Sequence, residues 1–390
     1  MSLKKYGVPE FEDLKTSTRT VMVYSNVLFV LQKVFKGLYV TPVEVPLTKK
    51  KKNVDKKRLR APYGAIISVQ RGIYFRGIDL RKSRKHWCAA NCRIMERRGN
   101  KDVQINTVVE EPRLIEGTDI YEIKYFCTEC ERYYSIKQLK KITNFLNQVT
   151  VVISIGEIIL NIMMFKDNFK IAGCKEDNDA VEATMILWQD YISKIDLGWR
   201  MKPESLAVKE PPKFVFRLVM RNVDFKLGFF IDREALNRLM NSPEYSDRVF
   251  MSQCETTGHT NVNIKMFALK PEGYTYDCLV MPVGGDAHFI KIPHNPYKPK
   301  KDKKEKYTTF IVFSSSEIIL SGRYEENMRD MYEFFVREVV SHREEIEERI
   351  EEPDVDLITH LKKNGGLKPK GKPKASGTKK VTTVVPRRRR

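Results

Sequence analysis

A chain of 390 residues has room for roughly two to three domains, and 42% hydrophobic with 10% aromatic residues is enough for a real core, which excludes a disordered protein. The balance of 70 Lys+Arg against 50 Asp+Glu leaves +20, a surplus that suits a polyanionic partner such as nucleic acid, or a soluble protein with a basic tail. No stretch approaches the ~18 apolar residues of a membrane span, and MSLKKYGVPEFEDLK lacks the apolar core of a signal peptide, so the seven cysteines read as reduced thiols or metal ligands.

In chain order, RTVMVYSNVLFVLQKVF from Arg19 reads as a strand and a helix-like stretch opening a first unit, residues 1–48. From Lys49, KKKKNVDKKR begins an insertion ending at residue 142. Within it, Cys88-x3-Cys92 and Cys127-x2-Cys130 are two close pairs, the pattern that supplies four soft ligands to one tetrahedral structural zinc. His86 is an alternative ligand, and buried free cysteines are the alternative to a metal. Arg76, Arg81, Lys82, Arg84 and Lys85 lie among Tyr74, Phe75 and Trp87, a basic–aromatic mixture suited to phosphate contact and base stacking, or to a solvated face.

The first unit resumes over 143–197. NFLNQVTVVISI is followed by ILNIMMFKDNFKIAGCKEDN: a strand ending at Phe165, a polar turn, a second strand and Gly173. A helix over Asp179–Ile192, apolar on more than one side, should be deeply covered. Residues 198–212, rich in proline, read as a linker.

KFVFRLVMRNVDFKLGFFIDREALNRLM from Lys213 opens a second unit, 213–269 and 306–345, interrupted by a hairpin insertion with a lysine-rich end over 270–305. Its TTFIVFSSSEIILSGRYEEN repeats the first unit's order: a strand ending at Phe313, a turn, a strand, Gly322, then acids that complement a helix N-terminus. Met328, Met331, Tyr332, Phe335 and Val339 form one buried helical stripe. Residues 346–361 read as an acidic helix extension. Residues 362–390 carry +12 without an acid and are too poor in apolar residues to fold.

Shared order over strand, helix, hairpin, glycine and acidic helix start points to duplication. Two such units, with a Phe closing a strand in the I-V-F-S-S-S-E-I-I-L-S-G style, resemble the TATA-box-binding protein family, in the diverged form of large nucleocytoplasmic DNA viruses. The likeness covers about half the chain. It implies an α+β fold in which two tandem repeats form a curved antiparallel sheet, a saddle with helices on the convex side, here with a four-cysteine zinc-binding insertion and a disordered basic tail. It implies a monomer with an internal pseudo-dyad, whose concave face takes the minor groove of double-stranded DNA. Phe165 and Phe313 match the family's wedge positions, with Phe145 or Leu146 as a second wedge in the first unit; the same positions also suit plain strand core. The second unit presents Thr260 and Asn261 where the corresponding Phe stands in the family, and Asn222 is offset from the family's central asparagine.

No phosphate loop, H-E-x-x-H or G-x-S-x-G is present, so no catalysis is assigned. The function implied is a DNA-binding transcription initiation factor that bends promoter DNA, with RNA polymerase and other transcription factors as further partners and no membrane. It would act in the host nucleus or a cytoplasmic viral factory, or travel packaged in the virion. A packaged structural DNA-binding or protein-interaction protein on the same fold is the alternative.

Overall fold

Period-two patterning decides most of the backbone. A computed structural model describes residues 8–43, 61–78, 94–98, 101–105, 108–127, 131–134, 147–254, 261–269, 271–282, 285–297 and 307–348. A first set of elements is β1 (Thr16–Ser25), α1 (Leu31–Gly37), β2 (Ile66–Arg71), β3 (Val149–Ile155), β4 (Ile158–Met164), β5 (Asn168–Cys174) and α2 (Asn178–Ile186). A second set repeats that order: β6 (Lys213–Lys226), α3 (Arg233–Met240), β7 (Val249–Cys254), β8 (Asn261–Phe267), β9 (Tyr307–Phe313), β10 (Glu317–Gly322) and α4 (Glu325–Ser341).

These strands lie in one antiparallel sheet in the order β7-β8-β9-β10-β6-β1-β5-β4-β3-β2. Each half therefore runs outward from its own first strand in the same sequence, and the halves meet where β1 pairs with β6. The fold is mixed α+β, dominated by this sheet. Beyond β2 it is continued by Tyr74–Gly77, Tyr121–Cys127 and Val108–Leu114. Ile66–Arg71 thus falls inside the stretch 49–142 read as an insertion, yet occupies beside β3 the place that β7 occupies beside β8. In the second half, Tyr276–Val280 pairs with the start of β6 and with His288–Ile292.

In both halves alternation buries the helix-facing side of the labelled strands. In the second half Val223, Phe225, Ile264, Phe310, Ile318 and Leu320 pack with the α4 stripe, whose members Met328, Met331, Tyr332, Phe335 and Val339 are all buried. Phe335 stacks on Phe310 with centroids 4.4 Å apart, and burial of such a ring contributes roughly 2–3 kcal/mol. In the first half Val21, Val23, Ile153, Ile162 and Phe169 pack with α1 and α2. The turns beyond α2 bury Leu187, Trp188 and Ile192, the extra cover that its two-sided apolar pattern requires.

Both helical layers lie on the same side of the sheet. Arg19 and Arg221 face each other across the β1–β6 pair. Asp177, just before α2, is 3.3 Å from Arg19 and 3.8 Å from Arg221, while Glu325 in the first turn of α4 pairs with Arg221. The two glycines singled out in the sequence have different reasons. Gly173 has φ +102, which an L side chain rarely adopts, and a Cβ on Gly322 would collide with Met328 of α4. No described helix is long and apolar enough to cross a membrane. After α4 the chain makes one further turn, Arg343–Ile346, and Glu347 bridges to Ile231; residues 349–390, with most of the expected acidic extension and the whole basic tail, lie outside the described residues.

Candidate nucleic-acid interface

The side of the sheet away from the helices carries a different population. In the first half two cross-strand rows run Thr20–Ala172–Asn161–Val152–Ser68 and Met22–Lys170–Met163–Thr150–Gln70. In the second they run Asn222–Ser321–Thr309–Lys265–Met251 and Asp224–Ile319–Ile311–Asn263–Gln253. Small hydroxyls, amides, lysines and unbranched or β-branched apolar chains alternate across it. Such a surface offers van der Waals contact with scattered donors, which suits the shallow chemistry of a nucleic-acid groove. At the seam, Met220 and the bulged Val219 are exposed, apolar and central.

Strand parity places Phe165 and Phe313 on this open side. Leu160, Ile162 and Met164 of β4 are core, as are Phe310 and Val312 of β9, so the next position in each strand turns the other way. Both rings are half-buried and belong to neither core cluster. Phe165 opens a turn closed by its own N–H donating to the Asn168 carbonyl at 2.8 Å. Phe313 pairs across the sheet with Asn261. A third aromatic group was not anticipated from the sequence. Phe250, Phe267 and Tyr307 cluster at the far end of β8 and β9, with Phe250 stacked on Tyr307 at 4.6 Å and exposed by nearly half. Phe250 is itself the extra residue of a bulge between Val249 and Met251, which takes it out of register and which periodicity does not reveal.

Asn222 lies opposite Thr18 in the central strand pair, despite its offset in sequence. Its Oδ1 accepts from Ser321 Oγ at 2.9 Å, so the amide orientation is held and Nδ2 is the donor that remains. The hairpin insertion covers one part of this side: Val215, Tyr276, Cys278 and Val280 form a small cluster with Tyr297 against it.

The remaining expected residues divide. Arg76 commits Nε to Asp119 at 2.7 Å and Nη1 to the carbonyls of Lys36 and Leu38 at 3.0 and 2.7 Å. It is a clamp on the C-terminus of α1, and only 13% of its side chain is exposed. The sequence showed its charge but not this carbonyl cluster, which only the fold assembles. Cys127 is fully buried at the end of Tyr121–Cys127. Phe145, Leu146, Arg81, Lys82, Arg84, Lys85, Cys88, Cys92 and Cys130 lie outside the described residues. Among the described residues no group of three His, Cys, Asp or Glu side chains could hold a metal.

The surroundings of the two phenylalanines differ in charge. A depression beside Phe165 is lined by Lys33, Arg71, Lys166 and Arg200, with Asp167 tied to Lys202 at 3.6 Å. The depression beside Phe313 is lined by Asp224, Glu317 and Lys226, the last paired with Glu317 at 2.8 Å.

No family model matches the chain, and no curated protein matches it. Among solved structures, the di-domain ARO/CYC StfQ from the steffimycin biosynthetic pathway aligns over 60% of this chain and 83% of its own at 11% identity, with a TM-score of 0.11. A score of that size describes no common fold.

Proposed function

We propose that the chain is a TATA-box-binding-protein-like DNA-binding factor that receives duplex DNA on the open side of its sheet and bends it in promoter recognition. The observation that carries this reading is the sheet itself: two sets of five strands in the same outward order, joined through β1 and β6, with α1, α2, α3 and α4 packed on the same side. A saddle of two repeats requires that arrangement.

The chemistry follows from the rows of side chains. Minor-groove binding gains apolar contact and widens the groove, and an aromatic inserted at each end of the contact unstacks a base step and kinks the duplex. Phe165 and Phe313 stand at the ends of equivalent strands, one per half, as such a pair must. The minor groove of A·T pairs presents only acceptors, N3 of adenine and O2 of thymine. Asn222 Nδ2 beside the seam is a donor of the required kind, with its amide already oriented by Ser321. Lys170 and Lys265 lie in rows flanking the apolar positions, where phosphates would follow. Arg81, Lys82, Arg84 and Lys85, with the basic tail, would add phosphate contacts.

One structural zinc held by Cys88, Cys92, Cys127 and Cys130 belongs to the same reading. Burial of Cys127 at a strand end, three residues before Cys130, supports it. Zinc would supply folding energy to the insertion and no chemistry. Zinc content that is unchanged in a Cys127→Ser, Cys130→Ser double variant would end that claim.

Binding of duplexes of graded A·T content by a chain lacking residues 362–390, at several salt concentrations, tests the function. Preference for A·T-rich duplexes, abolished by Ile311→Glu on the open side, is the expected result. A steep salt dependence with no sequence preference and no effect of Ile311→Glu would favour the packaged structural role instead.

A further inference from the structure

On the helix side of the sheet, at the seam of the two halves, lies a cavity of about 560 Å³. Its floor is Phe216 and Leu218 of β6; its walls come from the first turns of α2 and α4 and from the hairpin insertion, which contributes Tyr274 and Phe289. This is a different surface from the proposed DNA face, and it stands or falls independently of that reading.

Arg323, the residue after β10, lines this cavity and is only 9% exposed. Its Cζ lies 4.7 Å from the Tyr324 ring centre and 5.8 Å from that of Tyr274. Nε and Nη2 of this guanidinium are buried without a partner. Those two nitrogens form the side-on edge of a guanidinium, with parallel N–H bonds that match the two oxygens of one carboxylate.

The acids nearby are already engaged. Asp177 serves Arg19 and Arg221, Glu325 serves Arg221, and Asp277 pairs with Lys291 at 2.5 Å. No described carboxylate pairs with Arg323. A buried cation with two idle donors is costly to keep, and hydrogen-bonded packing would improve if it were replaced by an apolar chain. Its presence beside an apolar floor and an aromatic wall is explained if the acceptors arrive with a ligand. The ring of paired acids, together with Glu326 at the rim, disfavours a doubly charged ligand.

We propose that this cavity binds a small monoanionic organic carboxylate, its two oxygens on Nε and Nη2 of Arg323 and its apolar or aromatic body against Phe216, Leu218 and Phe289. A volume of this size is in the range of small-molecule sites. Because the walls come from both halves, the bound carboxylate would tie the two helical layers together.

The test uses the full chain and sodium benzoate as probe, with phenyl phosphate and benzyl alcohol as comparisons, read by melting temperature and by calorimetry. Benzoate should raise the melting temperature and bind more tightly than either comparison. Arg323→Lys should weaken benzoate on the order of tenfold, the loss expected when a bidentate charged pair becomes a single contact. Arg323→Met should abolish binding while melting at or above the wild-type temperature without ligand. Phe289→Ala, on the exposed wall, should weaken benzoate without altering the fold, and guards against an Arg323 variant that fails to fold. Equal binding of benzoate by the wild type and by Arg323→Met would overturn the proposal. So would no binding by the wild type at millimolar benzoate, which would leave water as the partner of Arg323, or a preference for phenyl phosphate.

Discussion

At the end of β4, Phe165 stands among Lys33, Arg71, Lys166 and Arg200; at the end of β9, Phe313 stands among Asp224, Glu317 and a single Lys226. The backbones that present the two rings are equivalent, since each closes the third strand out from the seam. Their charges are opposite. Register and core packing act on the buried side of a strand, where a one-residue slip would expose the whole apolar set, so the two halves are alike on that side. Rim residues carry no such constraint and can diverge toward different partners. If DNA lies across the sheet, its phosphates meet attraction at the first end and repulsion at the second. The first half should therefore supply most of the electrostatic affinity.

The largest effect should come from removing the attraction. Lys33→Ala, Lys166→Ala and Arg200→Ala together should cut duplex affinity on the order of 100-fold and lower the salt slope by about two to three, because each lost phosphate contact removes about 0.9. Anisotropy titrations across salt concentrations measure both, and an unchanged slope would break the asymmetry. A smaller change in the opposite direction is expected from Asp224→Asn with Glu317→Gln: affinity should rise about threefold to tenfold at low salt, and less at high salt where the repulsion is screened. No gain at any salt would place the second end away from phosphate.

The smallest effect concerns the joint that holds the two ends in fixed relation. Glu210 of the connector receives hydrogen bonds from Lys213 at 2.9 Å and Ser205 at 2.8 Å, and Asn26 of the first half donates to the Pro211 carbonyl and accepts from the Lys213 N–H. Lys213, Ser205 and Asn26 hold the Glu210 carboxyl below its ordinary 4.5. A depressed carboxylate stabilises the fold above its unfolded value and loses that contribution as pH falls through the folded one. Glu210→Gln should therefore cost about 1 kcal/mol at neutral pH, and the difference from wild type should shrink below pH 4.5 in chemical denaturation. A difference that persists in acid would assign the effect to packing.

What could be read from the sequence, and what could not, follows the same division. The α4 stripe from Met328 to Val339 and the hairpins ending at Phe165 and Phe313 were legible, because each rests on local periodicity within one element. Ile66–Arg71 was not, because a sheet strand enclosed by lysine-rich segments is recognised only through its partner β3, some eighty residues away in the chain. Phe250 was hidden by a bulge that breaks alternation. Arg76 read as part of a basic stretch suited to phosphate contact or to a solvated face because its charge is local, whereas the carbonyls of Lys36 and Leu38 that engage it are brought there by tertiary structure. Nothing local marks Arg323 for the same reason: its burial depends on helices and a hairpin from both halves.

On the proposed function, the open side of the sheet bends DNA through one aromatic per half. Fluorescence energy transfer between the ends of a labelled A·T-rich duplex reports that bend directly. The wild-type chain should bring the ends together, and Phe165→Ala and Phe313→Ala should each reduce the bend, with Phe165→Ala also losing roughly tenfold in affinity as a wedge contact disappears from the basic end. A bound duplex that stays straight, or one whose bend is the same in both variants as in the wild type, would contradict the account.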